Sequence, residues 1–135
     1  MIDEENKKHY WLYALKLEKG KYYVGTTTKK DPYDRIKMHG GFYGAKWTMK
    51  YKPVEVLEIR DIGVLSEPEK DVIEQMATMR LIDDFGYKNV RGGFLRHSGK
   101  YYKLGNRYFR DSDFESLIAG LLLITTALLL FIKSV

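Results

Sequence analysis

Residues 9–26 read HYWLYALKLEKGKYYVGT, and this stretch decides the fold. Aromatic and apolar residues dominate 9–18 (HYWLYALKLE), the composition of a half-buried pleated strand. Lys19-Gly20 is a turn signal, and 21–26 (KYYVGT) reads as a second strand. The segment therefore predicts an antiparallel hairpin. Successive strand side chains point to opposite faces, so Tyr13 shares a face with Trp11 and Leu15, and Tyr23 with Lys21 and Gly25.

Downstream, Asp31-Pro32 starts a helix: Asp31 can cap free backbone N–H groups, and Pro32 has none to lose. That helix is expected to run to about His39 and stop at Gly40-Gly41. Residues 54–60 (VEVLEIR) predict a third strand. Ser66-Glu67-Pro68-Glu69 has the capping-box pattern and opens a longer helix. Val72, Met76, Met79 and Asp83, with Ile73, Ile82 and Phe85, give it a mostly apolar face, and Gly86 is a natural left-handed stop. Residues 90–94 (VRGGF) form a short extended piece, and 95–110, polar, basic and rich in tyrosine, carry no clear pattern. The order β-β-α-β-α predicts an α/β (α+β) fold, with a small three-stranded antiparallel sheet flanked by helices. The chain divides into 1–94 as the folded domain, 95–113 as a basic connector, and 114–135 as a hydrophobic C-terminal helix.

The bulk composition restricts the functions open to the chain. It has 135 residues, enough for one compact domain with an appendage. A 44% hydrophobic and 30% charged composition predicts a globular protein. The net charge of +5 permits nucleic-acid or anionic-membrane contact without requiring either. Cysteine is absent, which excludes a disulfide framework, a thiolate zinc site and a cysteine nucleophile. Asp3, Glu4, Glu5, Lys7 and Lys8 fill the place where a secretory leader would be apolar, so an intracellular protein is expected.

The far end is different. Residues 117–132 (LIAGLLLITTALLLFI) carry no charge. That is short against the ~17–20 residues a spanning helix needs, though Phe114, Ser116 and Ser134 flank it. A membrane anchor, a buried helix and an oligomer-forming helix all remain open. The lack of a polar face beyond Gly120, Thr125 and Thr126 favours the anchor. Tyr101, Tyr102, Lys103, Arg107, Tyr108, Phe109 and Arg110, just before the run, suit a membrane interface or DNA.

Phosphodiester cleavage needs a base for the attacking water, a cation for the phosphate oxygens, and a metal on hard oxygen ligands for the leaving oxygen. Tyr13, Tyr23, Arg35, His39 and the acids of the second helix supply a candidate for each task. Arg35 and His39, four residues apart, are expected on one side of the first helix. The ordinary readings stand beside these. A strand Tyr usually packs, Arg35 can pair with Asp31 or Asp34, and a His at a helix end can simply meet the dipole.

With those residues in place, the segment from about 10 to 93 resembles the GIY-YIG endonuclease superfamily. Trp11-Leu12-Tyr13 resembles its first motif, and Tyr23-Val24-Gly25 its second. The family's helical arginine falls on Arg35, and its following Tyr or His on His39. Its metal-binding glutamate falls on Glu74, about a dozen residues before Gly86. Asn89-Val90-Arg91-Gly92-Gly93 is similar to the ending of one branch of predicted nucleases, and residues 40–48 (GGFYGAKWT) with Lys52-Pro53 to the linker before its third strand. The resemblance implies an endonuclease acting on DNA with Mg²⁺ or Mn²⁺ held by Glu74. Tyr23 or His39 would orient or deprotonate the water, and Arg35 would contact the phosphate. Tyr13 and Gly25 would support the site, and Asn89 would have a secondary structural role near the metal. Lys46, Lys50, Lys52 and Arg91 would track the DNA backbone, with Trp47 and Tyr51 stacking. If the apolar run is an anchor, the nuclease domain would lie on the cytoplasmic side.

The sequence departs from the family in places. Trp11 stands where the family has Gly, Thr26 where a Lys often follows the second motif, and the branch's Cys-rich zinc element is missing. The Trp11 and Thr26 departures motivate a second reading, a catalytically lapsed GIY-YIG fold serving as a membrane-anchored DNA-binding or interaction module. A third is an unrelated membrane-anchored α/β domain.

Overall fold

A computed structural model describes residues 6–135. Asp3, Glu4 and Glu5, whose charges argue against a leader, lie outside the described residues. The chain forms two compact units, residues 1–98 and residues 99–135.

The first unit is built on a four-stranded mixed sheet in the order β3-β1-β2-β4. The expected hairpin is present as β1 (Lys8–Leu17) and β2 (Lys21–Thr27), antiparallel, with Tyr13 opposite Gly25 and Leu15 opposite Tyr23. β3 (Pro53–Leu65) pairs antiparallel on the other side of β1 and is longer than its sequence pattern predicts. Three register shifts bend it along its length, which blunts an otherwise open edge. The expected three-stranded antiparallel sheet is corrected here. β4 (Val90–Arg91) adds a fourth strand, parallel to β2 through Tyr22 and Tyr23. Parallel pairing requires a crossover, and α3 (Glu67–Phe85) lies within the long connection between β2 and β4.

Both faces of β1 are covered, which is why residues 12–15 read as a continuous apolar run. Leu12 and Ala14, with Val24, pack beneath Ile73, Ala77 and Leu81 of α3 and Ile62 of β3. Tyr13, Leu15 and Leu17 face the other way, toward Ile36 and Trp47. The α3 face is thus not the one its heaviest apolar residues suggest. Val72, Met76 and Met79 are exposed, and Ile73, Ala77 and Leu81, with buried Thr78 and Ile82, do the packing. The predicted capping box is present, with Glu69 N–H donating to Ser66 Oγ and Ser66 N–H to Glu69. The helix does end at Gly86, with a positive φ of 84° but an extended ψ of 145° rather than a left-handed turn.

The first helix is shorter than expected. α1 (Tyr33–Ile36) is one turn. Asp31 Oδ1 accepts from Tyr33 N–H at 2.9 Å, as its capping chemistry predicts, but turns replace the helix from Lys37 to Gly40. α2 (Lys46–Lys50) follows, held to the sheet by Trp47 Nε1–H donating to the Tyr22 carbonyl at 3.0 Å.

In the second unit, β5 (Tyr101–Leu104) and β6 (Arg107–Arg110) form an antiparallel hairpin in a region without a clear sequence pattern. α4 (Asp111–Ser134) follows directly, beginning before the predicted residue 114, and is long and apolar enough to cross a membrane.

Candidate active site

The two motif tyrosines sit diagonally on one face of the β1–β2 pair, and Gly25 makes their arrangement possible. Tyr13 lies opposite Gly25, and its ring crosses the space a side chain would fill. A Cβ on Gly25 would stand 2.5 Å from Tyr13 Oη and 2.9 Å from the Tyr23 ring, too close for any residue but glycine. The rings come together with centroids 6.3 Å apart.

His39 completes this cluster from the turn after α1. Its ring lies 5.5 Å from Tyr13 and 4.9 Å from Tyr23, centroid to centroid. The expected i,i+4 helical pairing with Arg35 is corrected, because the helix ends at Ile36 and His39 N–H reaches back only to the Ile36 carbonyl. The turn still brings both side chains to the site. The Arg35 charge acts on Tyr13, Tyr23 and His39. Arg35 also donates to the Tyr43 carbonyl at 3.0 Å.

The proton positions in this network follow from donor counting. Thr48 Oγ1 donates its one proton to the Ala45 carbonyl at 2.8 Å, so toward His39 Nδ1, 3.0 Å away, it accepts. His39 therefore carries its proton on Nδ1, and Nε2 accepts from the Tyr13 hydroxyl at 2.6 Å. Burial and the Arg35 charge pull His39 down to about 4, keeping the imidazole neutral. Burial, helped by Tyr23 and Glu74, pushes the Tyr13 phenol well above its ordinary value despite Arg35. Tyr23 is also raised, by burial and then by the Glu74 charge, with Arg35 opposing.

Glu74 arrives from α3, on the same helical row as buried Thr78 and Ile82. Its carboxylate is held at both oxygens: Oε2 accepts from Thr26 Oγ1 at 2.9 Å, and Oε1 from Gly93 N–H at 3.0 Å. Gly93 takes a φ of +50°, and a Cβ there would meet Gln75 Cα at 3.1 Å, so glycine lets this backbone N–H approach the helix. Thr26, standing where the resemblance expects a Lys, is thus a carboxylate partner. Lys70, one turn before Glu74, adds a nearby ammonium, bonded to Asp71 at 2.6 Å.

Among the described residues, no three His, Asp or Glu side chains are grouped to hold a metal. One half-buried carboxylate, with lone pairs left on both oxygens, still fits a largely hydrated Mg²⁺ or Mn²⁺, which keeps several waters and needs no cage.

The structure separates the remaining expected residues. Lys46, Lys50 and Lys52 are exposed. Arg91 is not: it is 3% exposed, its Nε donates to the His97 carbonyl at 2.7 Å, and its guanidinium carbon sits 4.2 Å from the Trp47 ring centroid. Its assignment to the DNA backbone is corrected to a structural one, and buried Trp47 is likewise unable to stack on a base. Asn89 joins the ends of two elements. It accepts from Lys21 Nζ at 2.8 Å and donates to the Phe85 carbonyl at 2.8 Å. The C-terminal end of α3 is about 16 Å along the helix from Glu74, so a place near the metal is corrected as well. Trp11 is half-buried against His9, and its buried Nε1 has no hydrogen-bond partner among the described residues. Thr48 and Gly93 were not singled out for these contacts in the sequence, and only the pairing of distant segments exposes them.

Comparisons with known proteins find no matching family model, no matching curated protein and no matching solved structure.

Proposed function

We propose that the first unit is a metal-dependent endonuclease of the GIY-YIG type that hydrolyses DNA phosphodiester bonds. The observation that carries this reading is convergence. Tyr13, Tyr23 and His39 touch as a ring cluster, and the charges of Arg35 and Glu74 both act on its two phenols, although the five residues come from separate parts of the chain.

In this reading Arg35 clamps the scissile phosphate, offsetting charge as it grows on the oxygens. A cation at Glu74, Mg²⁺ or Mn²⁺, supplies stabilisation of the leaving oxygen when bound. Tyr13 is a positioning residue, since its hydroxyl already gives its proton to His39. Tyr23 is the group assigned to the water. As phenolate it takes the proton while the water oxygen bonds to phosphorus and the bridging P–O bond breaks. Arg35 favours that phenolate, and neutralising Glu74 removes one of the two influences against it. His39 is a poor direct base, because its free nitrogen is occupied by Tyr13 and its affinity for a proton is low. Lys46, Lys50 and Lys52 extend a cationic path for the backbone.

The test is Mg²⁺-dependent cleavage of supercoiled, linear, branched and single-stranded DNA by the full chain. Glu74→Gln and Arg35→Ala should each reduce cleavage at least ~100-fold, the usual cost of losing a charge-stabilising group, with DNA binding by Glu74→Gln retained. A chain that binds every substrate and cuts none supports instead the lapsed, DNA-binding form of this fold. The two protein hydrogen bonds already on Glu74 favour that second reading.

A further inference from the structure

Among the described residues, α4 carries the longest run of exposed apolar side chains. Leu121, Leu122, Leu123, Ile124 and Leu128–Ile132 are all more than half exposed, and at helical spacing they occupy every side of the cylinder. A second copy would cover one stripe and leave the opposite side in water. A helix that is apolar all round needs an apolar medium all round, and within that medium every polar group must find its partner internally. α4 meets the second condition too. Thr125 Oγ1 donates to the Leu121 carbonyl at 2.8 Å and Thr126 Oγ1 to the Leu122 carbonyl at 2.9 Å, so neither hydroxyl needs anything outside its own helix.

The β5–β6 hairpin adds a different chemistry at one end. It presents exposed Lys103 and Arg107, flanked by Lys100 and Arg110, interleaved with Tyr102, Tyr108 and Phe109. Lys103 Nζ lies 5.7 Å from the Tyr108 ring centroid. Two contacts fix the hairpin to the first turn of α4: Tyr102 stacks on Phe114 at 4.5 Å, and Asp111 N–H donates to the Lys100 carbonyl at 3.1 Å. Aromatic rings and cations held together at the mouth of an apolar helix match the headgroup layer of an anionic leaflet. The uncharged part of the helix, residues 116–132, spans about 26 Å at 1.5 Å per residue. That is a few ångströms under a typical hydrocarbon core, a deficit that interfacial anchors make good.

We propose that α4 is a single membrane span and that the β5–β6 hairpin is its collar, seated among anionic phospholipid headgroups on the cytoplasmic face. The hairpin gathers Lys100, Lys103, Arg107 and Arg110 next to the span, and such a basic flank stays in the cytoplasm. The first unit is then held on that side. None of this depends on whether the first unit cuts DNA.

The absence of cysteine makes the test direct, because a single introduced cysteine reports its own side of the membrane. Full chains carrying Ser98→Cys or Ser134→Cys are expressed in bacteria and probed in sealed right-side-out vesicles with a membrane-impermeant maleimide. Both should resist alkaline carbonate extraction. Ser134→Cys should label in sealed vesicles, and Ser98→Cys only after permeabilisation. Reversing the collar charge with Lys100→Glu, Lys103→Glu and Arg107→Glu should make Ser134→Cys several-fold less accessible, whereas Arg107→Lys should not. Release of the chain by carbonate, or labelling of Ser98→Cys in sealed vesicles, overturns the proposal. An orientation indifferent to the reversal overturns the collar. A soluble chain that loses DNA binding on the same reversal would place the hairpin on DNA and overturns it equally.

Discussion

The Tyr13 hydroxyl donates to His39 Nε2 across 2.6 Å, and the direction of that bond is set from the far side of the imidazole by Thr48. A protonated His39 would have hydrogen on both nitrogens, so Tyr13 could no longer donate to it. The ring cluster is therefore built for the neutral histidine.

This makes stability depend on pH in a defined window. The folded His39 titrates at about 4, below its ordinary 6.5, so the unfolded chain binds the proton more readily. The stabilisation is fully present above pH ~6.5 and is lost as pH falls toward ~4, with a ceiling of about 3 kcal/mol from the size of the shift. Urea unfolding of the full chain between pH 7.5 and 4.5 should show this loss, and His39→Gln should flatten it. An unchanged slope in the variant would mean that His39 is not held neutral.

Gly25 carries the geometry of the two tyrosines. Gly25→Ala places a methyl group 2.5 Å from Tyr13 Oη and forces that ring off the sheet. Overpacking of this kind costs about 1–3 kcal/mol, and the Tyr13–His39 bond should be lost with it. The expected result is a lower unfolding midpoint, together with loss of the His39 pH dependence. A variant as stable as the parent, with that dependence intact, would show that the site tolerates the methyl.

Much of this was legible in the sequence, and the failures have physical causes. The hairpin, the capping box and the end of α3 at Gly86 follow from local chemistry, and all three are present. Glu74 could have been read more firmly, since it shares a row with Thr78 and Ile82 while Glu67, Glu69, Asp83 and Asp84 are exposed. On α3 the packed face keeps Ile73 and Ile82 of the expected one but leaves out Val72, Met76 and Met79, which outweigh Ala77 and Thr78 in hydrophobicity, because close packing on Val24 and Gly92 selects small residues. The extended piece expected over 90–94 is present as the two residues of β4, but it pairs with a strand more than sixty positions earlier, and no local pattern marks that pairing. Arg91 looked like a DNA ligand because charge is usually exposed, but the Trp47 ring and three backbone carbonyls take up its guanidinium.

Burial of Arg91 and exposure of the three lysines give opposite expectations for superficially similar changes. Arg91→Ala removes the donor to the Tyr87, Val90 and His97 carbonyls and empties a buried place over the Trp47 ring, and should cost about 3 kcal/mol of folding stability. Lys46→Ala, Lys50→Ala and Lys52→Ala together should leave folding within about 1 kcal/mol. They should weaken DNA binding and reduce its salt dependence by up to ~0.9 per lysine removed. Unfolding curves and binding at several salt concentrations separate the two. A triple variant with an unchanged salt slope would remove the lysines from the DNA path.

The sharpest electrostatic expectation joins Glu74 to Tyr23. Burial is the larger reason that Tyr23 holds its proton, and the Glu74 charge is the second. Burial is unchanged in Glu74→Gln, where the amide oxygen can accept from Gly93 N–H while the NH2 group donates to Thr26 Oγ1, so the fold should persist. Only the charge disappears. Tyr23 should then titrate at lower pH than in the parent, while tyrosines remote from Glu74 should not move. Carbon-13 labelling of the tyrosine ring carbons, with the Tyr23 signal assigned by Tyr23→Phe, resolves this one phenol among eleven. A downward shift would also mean that a cation on Glu74 favours the same phenolate, which is the ionisation the hydrolytic reading requires. An unmoved Tyr23 signal would uncouple the two groups and remove Tyr23 as the proton acceptor, leaving Tyr13 and His39 to be tested in its place.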